Sequence, residues 1–236
     1  MKKVFTFLCL SLAMLVASTS SIFAAEGKIE EMMKRTGYPK EVITSEIEKY
    51  AKKENISNAA AESILYDAVV ASTSYEDDSI STYSSSGGKL SLLNSQKSDI
   101  FYSPSGTGHV GLYTTTEKII EAPGIGDVVT EKMAKNKKVE KKTRIGGVSS
   151  TKGGKSRVTA NKQSNVVAFA RSRLGRSYAY TLDNKTCTMN QDYNCSQLVW
   201  CSFKNGASLN VDASTDMFVT PSDIYHSDYV FYIKMV

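Results

Sequence analysis

Histidines and closely spaced cysteine pairs are scarce in this sequence, and their scarcity excludes several kinds of chemistry. The 236 residues contain two histidines, His109 and His226, and no Cys-x-x-Cys pair, so a zinc site would lack ligands. There is also no glycine-rich phosphate loop after a predicted strand and no Gly-x-Ser-x-Gly turn. These absences argue against a nucleotide-binding enzyme and against the usual serine hydrolase. We therefore predict that the protein uses no metal and no cofactor.

Long apolar runs are absent beyond the N-terminus, where a short one has the form of a signal peptide. Met1-Lys2-Lys3 precedes the largely apolar residues 4–16, and small residues follow up to Ala24. The run is shorter than the roughly 20 apolar residues that a bilayer-spanning helix needs. We predict a signal peptide over residues 1–24 and an exported protein, either secreted or associated with the cell envelope.

The rest of the chain has the composition of a globular protein with an odd number of cysteines. Hydrophobic residues make up 41% of the sequence and charged residues 22%, and the net charge is only mildly basic. No nucleic-acid-binding motif is present, so we expect no nucleic acid partner. Cys187, Cys195 and Cys201 remain after residues 1–24, and at least one of the three thiols must stay unpaired.

Changes in residue pattern along the chain predict a helical prefix followed by an α+β domain. Apolar residues recur at helical spacing over 25–75, and a Ser-, Asp- and Gly-rich linker follows over 76–98. Residues 99–236 combine short β-rich runs with two helical patterns and form the predicted main domain.

One part of the main domain, residues 132–157, is unusually basic, and we call it the basic segment. It holds ten Lys or Arg residues and two Gly-Gly pairs. This composition predicts a solvated, mobile surface loop. The alternative is a surface that binds an anionic cell-wall polymer or lipid headgroups.

Cys195 is the candidate nucleophile. Tyr193-Asn194-Cys195 opens a predicted helix that ends at Asn205-Gly206. The free backbone N–H groups and the dipole at a helix N-terminus favour a thiolate, which is the reactive form of cysteine. The alternative is a small buried apolar side chain at a helix start, which is a common role for an unpaired cysteine.

His109 and Glu121 are the candidate base and its orienting carboxylate. Residues 109–113 and 118–122 predict a β-hairpin, and a three-residue loop at 114–116 would place 109 directly opposite 121 on one face. A slip of one residue would separate the two side chains, and Glu121 would then be an ordinary exposed glutamate. His226, in a predicted loop, is the rival base.

Two groups of residues resemble a known superfamily. Leu174-Gly175-Arg176-Ser177-Tyr178 and Asn194-Cys195-Ser196-Gln197-Leu198-Val199 resemble the nucleophile region of NlpC-type, papain-like cell-wall hydrolases. The histidine motif, 108–113 with 120–122, precedes the cysteine, whereas it follows the cysteine in ordinary members. This order resembles the circularly permuted branch, the YiiX/YebB-like and YycO-like proteins.

The resemblance implies a fold, a site and an activity for residues 99–236. The expected fold is α+β, with a papain-like antiparallel sheet or half-barrel and packed helices, the histidine strand preceding the cysteine helix. Cys195, His109 and Glu121 would form a catalytic triad, with Tyr178 and Ser196 near the oxyanion or substrate. Cys187 and Cys201 are expected to be structural, and a disulfide between them would leave Cys195 as the odd thiol.

The implied activity is an exported thiol hydrolase that cleaves an amide or ester bond through a thioester, with a peptidoglycan peptide as the expected substrate. A hydrolase or acyltransferase acting on a lipid-linked amide or ester is the alternative within the superfamily. A non-catalytic protein that binds the wall or a membrane through the basic segment is the alternative outside it.

Overall fold

The computed structural model describes residues 27–36, 38–73, 89–104, 108–179, 185–215 and 218–236, without the side chains of 71–73. The predicted signal peptide lies outside these residues, and the predicted linker is described only from residue 89. The chain divides into two units, Met1–Val70 and Ala71–Val236.

The described part of the N-terminal unit is helical. Residues 27–36 form a helix, and α1 (Lys40–Glu54) and α2 (Asn58–Thr73) follow. Pro39 precedes α1 with extended backbone, and Asn55 ends the helix in the left-handed conformation. The buried side chains of this unit include Met32, Ile43 and Leu65. None of the described helices is both long enough and apolar enough to cross a membrane.

The described part of the second unit is built on an antiparallel sheet of six strands in the order β5-β4-β3-β2-β7-β8. A separate ladder pairs β1 with β6, and a 3₁₀ turn over Ala134–Asn136 lies between β5 and β6. The strands are β1 (Leu90–Ser91), β2 (Ile100–Ser103), β3 (His109–Tyr113), β4 (Lys118–Glu121), β5 (Thr130–Met133), β6 (Lys138–Val139), β7 (Arg144–Val148) and β8 (Val230–Met235).

The central strands of this sheet bury side chains on both faces. On the helix face, Val110 and Leu112 pack with residues of α3 (Ala160–Arg171), α4 (Cys195–Ala207) and α5 (Pro221–Tyr225). On the opposite face, which we call the outer face, Phe101, Tyr113 and Ile119 pack under residues near β1 and β6. The fold is therefore α+β with an antiparallel sheet and packed helices, as predicted, and it is compatible with a papain-like half-barrel.

Gly206 has a different role from the one that the sequence suggests. The helix continues through it to Ala207, and Ser208 provides the left-handed end. A Cβ atom on Gly206 would lie 2.4 Å from the backbone nitrogen of Val166 in α3. The glycine therefore allows α3 and α4 to approach closely, which fixes the position of the helix that carries Cys195.

A disulfide joins Cys187 to Cys201, with the two Cα atoms 5.5 Å apart. Cys195 is the unpaired cysteine among those that the structure describes, and it is buried. The bond links the second half of α4 to the segment that leads into the helix, so both chain segments flanking Cys195 are restrained.

The basic segment is not the solvated loop that its composition suggests. It includes the end of β5, the 3₁₀ turn, β6 and all of β7, which lies between β2 and β8 in the sheet. Ile145 and Val148 are buried in the two cores, whereas Lys135, Lys141 and Lys155 are exposed. The long-range pairing of β7 with two strands overrides the local preference of a charged, glycine-containing sequence for solvent.

Candidate active site

Cys195 is the first residue of α4 and lies at a well-capped helix N-terminus. The side chain of Asn194 accepts a hydrogen bond from the Gln197 N–H at 2.8 Å, which satisfies one of the free donors of the first turn. The thiol is only 6% exposed, and it is hydrogen-bonded by the backbone of Val110 and of Ser196. Two backbone donors and a helix N-terminus therefore surround the sulfur.

His109 and Glu121 are in contact, although the hairpin register differs from the predicted one. Leu112 pairs with Ile120 and Tyr113 pairs with Ile119, so five residues (114–118) separate the paired positions instead of three, and the register is shifted by two residues. Because a shift of two preserves the face, His109 and Glu121 become diagonal neighbours on the same face. The His109 Nε2 and Glu121 Oε2 atoms are 2.6 Å apart.

The same imidazole hydrogen-bonds the Cys195 thiol, so the ring bridges the two groups. Since Nε2 is engaged by Glu121, Nδ1 is the ring nitrogen left to face the sulfur. Glu121 lies on the outer face of the sheet and Cys195 begins a helix on the helix face. His109 can reach both because it is the first residue of β3, at the end of the strand.

The electrostatics of the pair favour charge separation. Burial by itself disfavours the charged imidazole, but the Cys195 charge and the hydrogen bonds to Cys195 and Glu121 raise the pKa of His109 to about 9. Burial likewise disfavours the thiolate, yet the charge and hydrogen bond of His109 and the two backbone donors lower the pKa of Cys195. The arrangement therefore favours a thiolate–imidazolium pair.

Two lysines of the basic segment complete the surroundings of Glu121. Lys132 Nζ lies 2.6 Å from Oε1, and Lys137 Nζ lies 2.6 Å from Oε2. The glutamate is fully buried, which opposes ionisation, but His109 and the two lysines hold the pKa of its carboxyl well below the usual range. Sequence reasoning did not single out these lysines among the ten basic residues. The available signal was the spacing of Thr130 and Lys132, which are two residues apart. If residues 130–133 form a strand that pairs with the Glu121 strand, this spacing places both side chains on one face.

The other two predicted site residues, Ser196 and Tyr178, make hydrogen bonds to groups other than the Cys195 thiol. Ser196 Oγ lies 2.5 Å from the Val219 carbonyl oxygen and 3.0 Å from Asn194 Oδ1, so this hydroxyl holds the helix start in place. Tyr178 is half-buried against the core that contains Cys195, and its N–H donates to the Asp127 carbonyl at 3.0 Å.

His226, the rival base, makes its own hydrogen bonds at the C-terminus of α5. It is the C-cap residue that follows α5, and its Nδ1 lies 2.9 Å from the Ser222 carbonyl oxygen. It lines a cavity of about 450 Å³ together with Lys152, Asp212 and Asp228. Across the described ranges, no group of three or more His, Cys, Asp or Glu side chains could hold a metal ion.

The fold and site together define an α+β protein in which a helix-terminal cysteine is hydrogen-bonded to a histidine that a buried carboxylate holds. No protein-family model matches the chain. It is similar to the uncharacterized protein YycO of Bacillus subtilis (strain 168), with 28% identity over 160 residues. The alignment covers 65% of this chain and 62% of YycO, so the chain spans less than two thirds of that relative. This similarity supports the YycO-like relationship that the motifs imply.

Among solved structures, the chain is similar to the crystal structure of metalloprotein yiiX from Escherichia coli O157:H7. The TM-score is 0.46 and the sequence identity is 15%, over 61% of this chain and 99% of that chain.

Proposed function

We propose that this chain is an exported thiol hydrolase that cleaves an amide or ester bond, and that it is a circularly permuted relative of the NlpC-type hydrolases. The observation that carries the proposal is the continuous chain of hydrogen bonds from Cys195 through His109 to the buried Glu121. A cysteine, a base and a group that orients the base are the parts that nucleophilic catalysis needs.

In the first half of the reaction, the Cys195 thiolate attacks the substrate carbonyl carbon and forms a tetrahedral oxyanion. Backbone N–H groups at the start of α4 are the available donors for that oxyanion, with the Cys195 N–H as the nearest. The imidazolium of His109 then protonates the leaving nitrogen or oxygen, the bond to the carbonyl carbon breaks, and a thioester remains.

In the second half, neutral His109 takes a proton from water, and the resulting hydroxide attacks the thioester. The carbon–sulfur bond breaks, the product leaves as a carboxylic acid, and the thiolate–imidazolium pair is restored. Glu121 keeps the ring oriented through both steps and stabilises its charged form.

A peptide bond of a peptidoglycan stem is the substrate that we propose first. The predicted signal peptide and the Cys187–Cys201 disulfide both suit a protein that works in an oxidising compartment outside the cytoplasm. Export can be tested by fractionating cells that express the full chain or a chain without residues 1–24. We expect processed protein outside the cytoplasm only for the full chain.

A lipid-linked amide or ester is the second candidate substrate. Ile125 is 62% exposed and Val128 is 47% exposed, and both lie on the turn that follows Glu121. Exposed apolar side chains on the segment that follows the Glu121 strand suit an acyl chain. An assay that offers both peptidoglycan and N-acyl or O-acyl lipids to the same preparation distinguishes the two substrates by the product released.

The reactive pair itself is tested without a substrate. In the chain without residues 1–24, Cys195 is the unpaired thiol, and its alkylation by iodoacetamide is followed from pH 4 to 10. We expect rapid alkylation well below pH 8.5, the pKa of a free cysteine, and loss of this reactivity in His109→Ala. His226→Ala is the matched control and should behave like the unaltered protein.

Two outcomes contradict the proposal. If His109→Ala and the unaltered protein titrate alike, near the value of a free thiol, there is no activated cysteine. If Cys195→Ala still releases products from peptidoglycan or acyl lipid, the hydrolysis does not depend on this site. Binding to cell walls or vesicles that survives Cys195→Ala, without any hydrolysis by the unaltered protein, would indicate a non-catalytic binding protein.

A further inference from the structure

The carboxylate of Glu121 contacts three nitrogen atoms, of which catalysis as described uses one. His109 Nε2, Lys137 Nζ and Lys132 Nζ each lie 2.6 Å from one of its oxygens. Holding an imidazole requires one hydrogen bond, so the two lysines need a separate explanation. Both are partly shielded, with side chains 33% exposed for Lys132 and 18% exposed for Lys137.

The fold brings both lysines to Glu121 through local geometry. Glu121 pairs with Thr130 across the β4–β5 ladder, so Lys132 lies two residues further along β5 on the same face. The 3₁₀ turn then reverses the chain, and hydrogen bonds hold it in place. Ala134 N–H donates to the Glu117 carbonyl at 2.7 Å, and Lys137 N–H donates to the Ala134 carbonyl at 2.9 Å.

Lys137 also influences His109 directly. It shares the Oε2 atom of Glu121 with the imidazole, and its positive charge lowers the pKa of His109 against the larger effects that raise it. The charged groups that face the ring are Cys195 from α4, Glu121 from β4 and Lys137 from the turn, with Lys132 behind the carboxylate. Phe101 is the aromatic neighbour, with its ring centroid 5.7 Å from that of the imidazole.

These charges have opposite effects on two requirements of the first half of the reaction, the formation of the thiolate and the protonation of the leaving group. The carboxylate strengthens the imidazolium, which helps to form the thiolate, but an imidazolium held too strongly is a poor proton donor to the leaving group. Positive charge beside the carboxylate weakens its hold on the imidazolium proton while keeping the carboxylate itself ionised and in place.

We propose that Lys132 and Lys137 are positioning residues that act through Glu121, fixing the ring of His109 toward Cys195 and setting the pH range in which the imidazolium exists. The inference rests on the proposed function, because it assigns a role within the same site.

The test uses the fact that the sequence contains only two histidines. The Cε1–H signals of His109 and His226 are followed by NMR as a function of pH, with His226 as an internal reference. Lys137→Met should raise the titration midpoint of His109 by about one pH unit, because a cation next to the shared oxygen is lost. Lys132→Met should move it in the same direction by less, since Lys132 contacts the other oxygen.

Two further variants separate charge from structure. Lys137→Arg keeps the positive charge and should restore the midpoint of the unaltered protein. Lys135→Met removes an exposed lysine from the same 3₁₀ turn and should leave His109 unchanged. The His226 signal at a fixed pH should be the same in all four variants, which verifies that the fold is intact. If Lys137→Met does not fold, Lys132→Met still decides the matter, because it removes the other lysine charge from the same carboxylate.

The outcomes distinguish this inference from the proposed function. If the midpoint of His109 is raised in the unaltered protein but neither Lys137→Met nor Lys132→Met moves it, the role of the lysines is wrong and the Cys–His pair stands. If His109 titrates near 6.5, like an unperturbed histidine, and Cys195 reacts like a free thiol, the proposed function itself is wrong.

Discussion

At the scale of single residues, Asn194 is the residue that caps the helix at Cys195, and we expect it to influence the acidity of the thiol. The Asn194 side chain caps α4 by accepting the Gln197 N–H, and its Oδ1 also lies 3.0 Å from the Ser196 hydroxyl. An uncharged cap gives the helix start its hydrogen bond without placing a negative charge beside the thiolate. Capping and thiol acidity are therefore separable properties of this position.

We predict that Asn194→Ala costs about 1 kcal/mol of unfolding free energy, because a capping hydrogen bond is lost. Asn194→Asp should keep most of that stability, since aspartate caps a helix as well as asparagine does. The added negative charge should, however, raise the pKa of the Cys195 thiol. Urea denaturation and the pH dependence of alkylation measure the two effects. Equal stability for Asn194→Ala and the unaltered protein would show that the cap is unimportant.

At the scale of elements, the β3–β4 hairpin shows how much of the site could be predicted from sequence. The alternation of apolar residues locates both strands, and Cys195, His109 and Glu121 lie together as the motifs imply. The register was wrong by two residues because five residues, 114–118, separate the paired Tyr113 and Ile119, whereas the prediction left three residues between paired positions. The sequence pattern therefore determines on which face of the sheet a side chain lies. It does not determine which residue lies directly opposite.

The basic segment shows what the sequence could not reveal. Its strands are two to five residues long and mix basic residues or glycines with apolar ones, so local composition resembles a solvated loop. Their place in the fold depends on pairing with distant strands, and β7 pairs with β2 and with the C-terminal β8. The contacts of Lys132 and Lys137 with Glu121 follow instead from the pairing of β5 with β4 and from the 3₁₀ turn.

The disulfide restrains the segment before α4 against the helix itself, and reduction removes this restraint without changing the sequence. Cys187 and Cys201 are 14 residues apart in sequence, with Cys195 between them. Reduction should lower the unfolding free energy by about 3 kcal/mol, because a loop of this length gains entropy in the unfolded chain. Urea denaturation with and without dithiothreitol measures the change.

The control for that prediction is a Cys187→Ser, Cys201→Ser double variant. Its stability should match that of the reduced protein and should not respond to dithiothreitol. A midpoint that is the same for the oxidised and reduced protein would show that the bond does not restrain the fold.

At the scale of the whole molecule, the site lies at the end of strand β3 and takes residues from both faces of the sheet. The helix face contributes the nucleophile, and the outer face contributes a fully buried carboxylate with its lysines. His109, at the end of β3, connects the two. The charges of the site are thus part of the packing of the second unit, and its stability must depend on their ionisation.

This dependence has a definite sign for Glu121. The folded protein holds the pKa of this carboxyl far below the value of about 4.3 that a glutamate has in an unfolded chain. Its contribution to stability is therefore complete above that pH and is lost as the pH falls, at about 1.4 kcal/mol per pH unit. Glu121→Gln removes the titrating group and with it this part of the acid sensitivity.

We predict that Glu121→Gln is less stable than the unaltered protein by about 3 kcal/mol at pH 7, because His109 and two shielded lysines lose their partner. The difference should narrow between pH 5 and pH 3, where the unaltered protein loses the Glu121 contribution and the variant does not. Urea denaturation at several pH values measures both curves. Glu117→Gln, at an exposed position of the same hairpin, is the control and should follow the unaltered protein throughout. A constant difference between Glu121→Gln and the unaltered protein down to pH 3 would show that the carboxylate is not held in its charged form by the fold.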